Sequence, residues 1–135
     1  MNIFPVTFEG YKGSLSSFKL ETNEVVSINK KLDLKKGAKY LMGVRPEDLD
    51  IVEKKTKTSG NCLAGEVVLA ENLGGEGFVH VCLKNGYQIM SKSKRAVSEQ
   101  IGEKACLSFR YDSCYLFDEQ GKAICGIDAQ SIDVK

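Results

Sequence analysis

The sequence predicts an all-β fold of about ten short strands with one short helix. Three observations carry that reading. Apolar residues recur with a period of two. The alternating runs are short and are divided by Gly, Asn or Lys turns. Helical spacing is confined to a single stretch. The 135 residues fit one domain, long enough to bury a core without disulfides or metals. Within residues 1–135, the polar stretch from Glu53 to Gly60 reads as a loop dividing two β subregions.

Phe4, Val6 and Phe8 alternate with Pro5, Thr7 and Glu9, which makes one face of the first strand apolar. Leu15, Phe18 and Leu20 stand against Ser17, Lys19 and Glu21 in a second run, and Val26 and Ile28 make a third. Tyr40 to Val44 is almost continuously apolar, as in a strand covered on both faces. Further on, Leu63, Gly65, Val67 and Leu69 read as one face against Cys62, Ala64, Glu66 and Val68. Phe78–Leu83 and Tyr87–Met90 flank Asn85-Gly86, the strongest hairpin signal in the chain. A type I′ turn there needs positive φ at both central residues. Leu73-Gly-Gly-Glu-Gly77 also reads as a tight hairpin. Ser93–Ile101 reads as the helix, with Val97 and Ile101 stacked at i,i+4 and Gly102 as its stop. Ala105, Leu107, Phe109 and Tyr111 mark another strand. Cys114–Phe117 and Ala123–Cys125 flank a turn at Asp118–Gly121. Small Greek-key barrels of the OB type fit these strand lengths, although composition does not separate them from other small barrels.

Charge and motif content narrow the function. With 19 basic and 18 acidic residues the net charge is +1, without the basic excess that nucleic-acid binding uses to neutralise phosphates. No nucleic-acid partner is expected. A P-loop is absent, since Gly121-Lys-Ala123 lacks both the hydroxyl residue and the upstream glycine. His80 is the only histidine and lies mid-strand, with no nucleophile motif to serve. Five cysteines without a C-x-x-C pair suit neither a zinc site nor a disulfide framework, and fit a reducing cytosol. The N-terminal residues lack the features of a signal peptide, and no apolar run approaches the roughly 20 residues of a membrane helix. No catalytic residue, metal site or bound cofactor is expected. Lys92, Lys94 and Arg95 in one polar turn give the sequence its one suggestion of an oxyanion site.

One segment is distinctive. Gly43-Val-Arg-Pro-Glu-Asp-Leu-Asp-Ile51 resembles the G-[IV]-R-P-E-[DH]-[LI] signature of the transport-associated OB (TOBE) domain, which ends the ATP-binding subunits of maltose- and glycerol-phosphate-type ABC importers. Three other stretches agree in order: Met1–Val6, Gly65–Gly74 as G-x-V-x-x-x-E-x-L-G, and Leu116-Phe-Asp118 with Gly121–Ile124. Pro46 fixes its own φ and pushes Arg45 to an extended conformation, so the strand ending at Val44 delivers a guanidinium at a defined edge. Glu47 can then pair with that guanidinium or with a backbone N–H. A strand-end clamp and an interface contact are both consistent with this corner.

The resemblance implies a TOBE/MOP-like, OB-type regulatory and dimerisation domain of a sugar importer's ATP-binding subunit, not catalytic by itself. Its partners would be an ATPase domain, membrane permease subunits, a second copy of the chain, and a regulatory protein or small effector. ATP would belong only to the ATPase domain expected upstream, and the location would be cytoplasmic, peripheral to the inner membrane. Whether the chain is a fragment or a stand-alone relative stays open. The residues singled out are Arg45, Pro46, Glu47, Glu71, Leu73, Gly74 and Phe117. The alternative is an OB-type domain that binds an oxyanion or small effector.

Overall fold

A computed structural model describes residues 1–52 and 60–125, and the expected loop at 53–60 lies, apart from Gly60, outside them. Eleven strands are present among the described residues: β1 (Asn2–Lys12), β2 (Leu15–Leu20), β3 (Val25–Ile28), β4 (Lys39–Val44), β5 (Asp50–Val52), β6 (Asn61–Leu73), β7 (Glu76–Leu83), β8 (Gln88–Ser93), β9 (Lys104–Phe109), β10 (Cys114–Phe117) and β11 (Ala123–Cys125). The all-β expectation holds. The described residues divide into two compact units, one of Met1, Ile3–Val44 and those from Arg110 to Cys125, the other of Asn2 and those between Arg45 and Phe109.

The first unit holds a six-stranded sheet in the order β11-β10-β4-β1-β2-β3. Its core holds the apolar residues read from the alternation, Phe4, Val6, Phe8, Phe18, Leu20 and Val26, together with Met42 and Leu116, all buried. The rings of Phe8 and Phe18 pack with centroids 5.4 Å apart. Each such buried side chain contributes roughly 1.5–3 kcal/mol. Polar groups inside are satisfied: the hydroxyls of Ser17 and Ser27 meet at 3.1 Å, and Ser16 Oγ donates to Lys30 O while accepting from Leu32 N. Phe117 lies on β10 beside Gly43, where an added Cβ would sit 3.0 Å from the Phe117 ring and 2.6 Å from Met1 Sδ. The glycine that opens the Gly-Val-Arg-Pro-Glu motif therefore leaves room for those two side chains.

The second unit is a five-stranded antiparallel sheet in the order β5-β9-β6-β7-β8. Leu63, Val67, Val79, Val81, Ile89, Leu107 and Phe109 fill its core. Gly65 allows close strand approach, because a Cβ there would meet Val81 Cγ1 at 2.5 Å and the Cys82 carbonyl at 2.6 Å.

Three expectations are corrected in this unit. Val67 pairs with Val81 but Leu69 pairs with His80, so Val68 is an extra, bulged residue. The bulge reverses the alternation, and Leu69 turns outward at 41% exposure instead of joining the face of Leu63 and Val67. The β7–β8 hairpin forms, but its loop is Lys84–Gly86: Gly86 N–H donates to Leu83 O at 2.9 Å and only Gly86 has positive φ. That is a type I turn followed by a left-handed residue, and not a type I′ turn at Asn85-Gly86. The two-residue type I′ geometry occurs instead at Gly74-Gly75, with φ values of +58° and +89°.

The third correction concerns the helix expected at Ser93–Ile101. The segment after β8 has no helical structure. Its backbone groups bond to side chains: Arg95 N–H to Ser93 Oγ, Val97 N–H to Asn72 Oδ1, and Gln100 N–H to Glu103 Oε1. Those partners satisfy donors that an i→i−4 ladder would use. The helical turns among the described residues are two 3-10 turns, Pro46–Asp48 and Tyr111–Ser113.

Candidate functional site

An open cleft of about 1130 Å³ lies in the second unit, where the Pro46 turn, the Gly74-Gly75 hairpin and the segment after β8 converge. Each wall has a local cause. Arg45 is extended at φ −70°, ψ 143°, as the following proline requires. Asp48 N–H then donates to Arg45 O at 2.9 Å and Leu49 N–H to Pro46 O at 3.3 Å, closing the turn. The buried Ser91 hydroxyl donates to Leu49 O at 2.7 Å, tying that turn to β8. Glu47 therefore faces the cleft opposite the residues that follow Ser91.

The second wall is the Gly74-Gly75 turn with Glu76, whose carboxylate lies 3.1 Å from Lys92 Nζ. Lys92 also stands 5.9 Å from the centre of the Phe78 ring. Lys92 is thus already neutralised and held. The third wall is the segment Lys94–Glu99. Lys94, Arg95 and Ser98 line the cleft, and their side chains make no hydrogen bond or ion pair among the described residues. Glu47, Asp50 and Glu99 also line it, so carboxylates and cationic side chains share one opening, with Glu99 directly after Ser98 in the same wall.

Of the residues singled out from the sequence, Glu47 and Gly74 meet at this cleft, and Arg45 and Pro46 belong to the turn that carries Glu47. Glu71 and Leu73 project outward from β6; Glu71 Oε1 is 4.0 Å from His80 Nε2, and Leu73 is 59% exposed. Phe117 belongs to the first unit. Lys92, Lys94 and Arg95 stand out in the sequence, whereas Ser91, Asn72 and Gly77 join the site only through the fold. Asn72 sits inside the Glu-Asn-Leu-Gly stretch and Gly77 closes the Gly-Gly-Glu-Gly run; those two patterns were the available signals.

A second groove of about 570 Å³ runs over β6, β7 and β9, with Ala64, Val68, Cys82 and Cys106 among its lining. It is largely apolar and lacks the converging hydroxyls of the first.

The family model of the TOBE domain matches residues 42–117. No curated protein matches the sequence significantly. Among solved structures, the cytoplasmic molybdate-binding protein ModG, in a form with molybdate bound, superposes with a TM-score of 0.75 at 17% identity, over 87% of this chain and 95% of that one. At that identity the likeness is one of fold.

Proposed function

The chain belongs to the TOBE domain family, and from that premise we propose that it is a binding module whose cleft takes a small oxyanion of the molybdate or sulfate type. One observation carries the reading: Lys94, Arg95 and Ser98 line the same cleft, and their side chains make no hydrogen bond or ion pair among the described residues. A guanidinium offers paired N–H donors to a tetrahedral anion and a serine hydroxyl offers another. The fold shared with ModG, a protein solved with molybdate bound, supports the reading. Glu47 and Asp50 oppose a bare dianion and favour its place beside Lys94–Ser98, while Glu99, next to Ser98, weakens the attraction there. Calorimetric titration with molybdate, sulfate and phosphate tests this. A saturable signal that Arg95→Glu weakens by at least about tenfold is expected. Silence for all three anions removes the reading.

A second reading is favoured by the ordered motifs, from Gly43–Ile51 through Glu71–Gly74 to Leu116–Asp118. It makes the chain a regulatory and dimerisation domain of a sugar importer's ATP-binding subunit, on the cytoplasmic side of the inner membrane. ATP would then be bound by an ATPase domain, and the permease subunits would be indirect partners. Leu69 and Leu73, exposed on β6 beside half-buried Phe78, offer apolar area for a second copy. Light scattering across a concentration series tests the pairing, and a monomer at every concentration counts against it. The two readings are compatible if the anion is the effector.

A further inference from the structure

The segment that carries Lys94, Arg95 and Ser98 has no regular secondary structure, so something other than a helix or ladder must fix where those side chains stand. Asn72, near the end of β6, supplies it. Its Nδ2 donates to Val97 O at 3.1 Å, and its Oδ1 accepts from Val97 N–H at 2.7 Å. A carboxamide carries the same donor–acceptor pair as a peptide group, and here it holds both backbone groups of one loop residue. Gly77 completes the seat. A Cβ at Gly77 would lie 2.5 Å from Val97 Cγ1, 2.7 Å from Arg95 O and 3.0 Å from Val97 N. The backbone from Arg95 to Val97 therefore crosses directly over the glycine.

We infer that Asn72 is a positioning residue for anion binding: its carboxamide fixes Val97 and, through it, sets Arg95 and Ser98 on either side of that fixed point. This rests on the oxyanion reading above. The two hydrogen bonds are solvent-exposed. Removing them leaves no buried group unpaired, so the fold loses little. What is lost is the prior ordering of the loop, which must then be met from binding energy.

The test is a double-mutant cycle read by sulfate calorimetry on the full chain, with Asn72→Ala, Arg95→Ala and the pair. Asn72→Ala is expected to weaken sulfate binding about tenfold with its thermal midpoint nearly unchanged. Arg95→Ala is expected to cost about tenfold in the parent but less than about threefold in the Asn72→Ala background, because an unplaced guanidinium contributes little. Asn72→Thr, which keeps side-chain volume but lacks the paired amide, is expected to behave like Asn72→Ala. Parent-like sulfate affinity in both Asn72 variants, or strict additivity with Arg95→Ala, overturns the inference and leaves the oxyanion reading standing. A parent chain that binds no sulfate, molybdate or phosphate overturns both.

Discussion

Ser91 Oγ donates to the carbonyl of Leu49 at 2.7 Å, across 42 residues of sequence, and both residues are buried. This bond carries the Pro46 turn against β8 and so places Glu47 on the rim of the cleft. Ser91→Ala takes from the buried Leu49 carbonyl its side-chain partner. A loss of about 1–2 kcal/mol is expected in equilibrium urea unfolding. Ser98→Ala, on the exposed loop, is expected to cost less than about 0.5 kcal/mol in the same assay.

Gly65 and Gly77 separate stability from binding. At Gly65 a methyl group meets the Cys82 carbonyl at 2.6 Å, backbone that cannot move aside cheaply. Gly65→Ala is expected to cost about 1–3 kcal/mol and to leave anion affinity unchanged in what remains folded. Gly77→Ala displaces the Arg95–Val97 backbone and is expected to lower anion affinity as well. Denaturant titration and calorimetry on both variants distinguish the two effects.

The Gly74-Gly75 turn makes a prediction about backbone alone. Open space surrounds a Cβ at either position, but φ is positive at both. Gly74→Val is therefore expected to cost about 1–2 kcal/mol through conformation and not through a clash. Replacement of the pair by Asn-Gly, which favours the same turn, is expected to hold the thermal midpoint within a few degrees.

On the oxyanion reading, charge sets the affinity of the cleft. Glu47 lines it with no ion pair among the described residues. Glu47→Gln removes a repulsive charge and is expected to strengthen sulfate binding by about two- to fivefold at low salt, an effect that fades as ionic strength rises. Titrations at several salt concentrations check both the direction and the fading.

The fold was legible because alternation reports burial directly: Phe4, Val6 and Phe8 were read as one face and are buried together. Alternation failed at Val68, since one inserted residue reverses every later position and leaves no mark in the pattern. Helical spacing failed at Val97 and Ile101. Their i,i+4 spacing suggested a helix, while Asn72, distant in sequence, claimed the backbone groups that a helix needs. Glu47, Gly74 and the Lys92–Arg95 turn were each visible in the sequence. Their meeting was not, because it depends on Ser91 reaching Leu49 and on Gly77 admitting the Arg95 backbone.

The most direct measurement is an amide chemical-shift titration of the ¹⁵N-labelled chain with molybdate. The account predicts saturable shifts concentrated at Lys94–Glu99, with smaller ones at Glu47 and at Gly74–Glu76. Absence of saturable shifts, or shifts confined to Ala64, Cys82 and Cys106 or to the strands of the first unit, would contradict it.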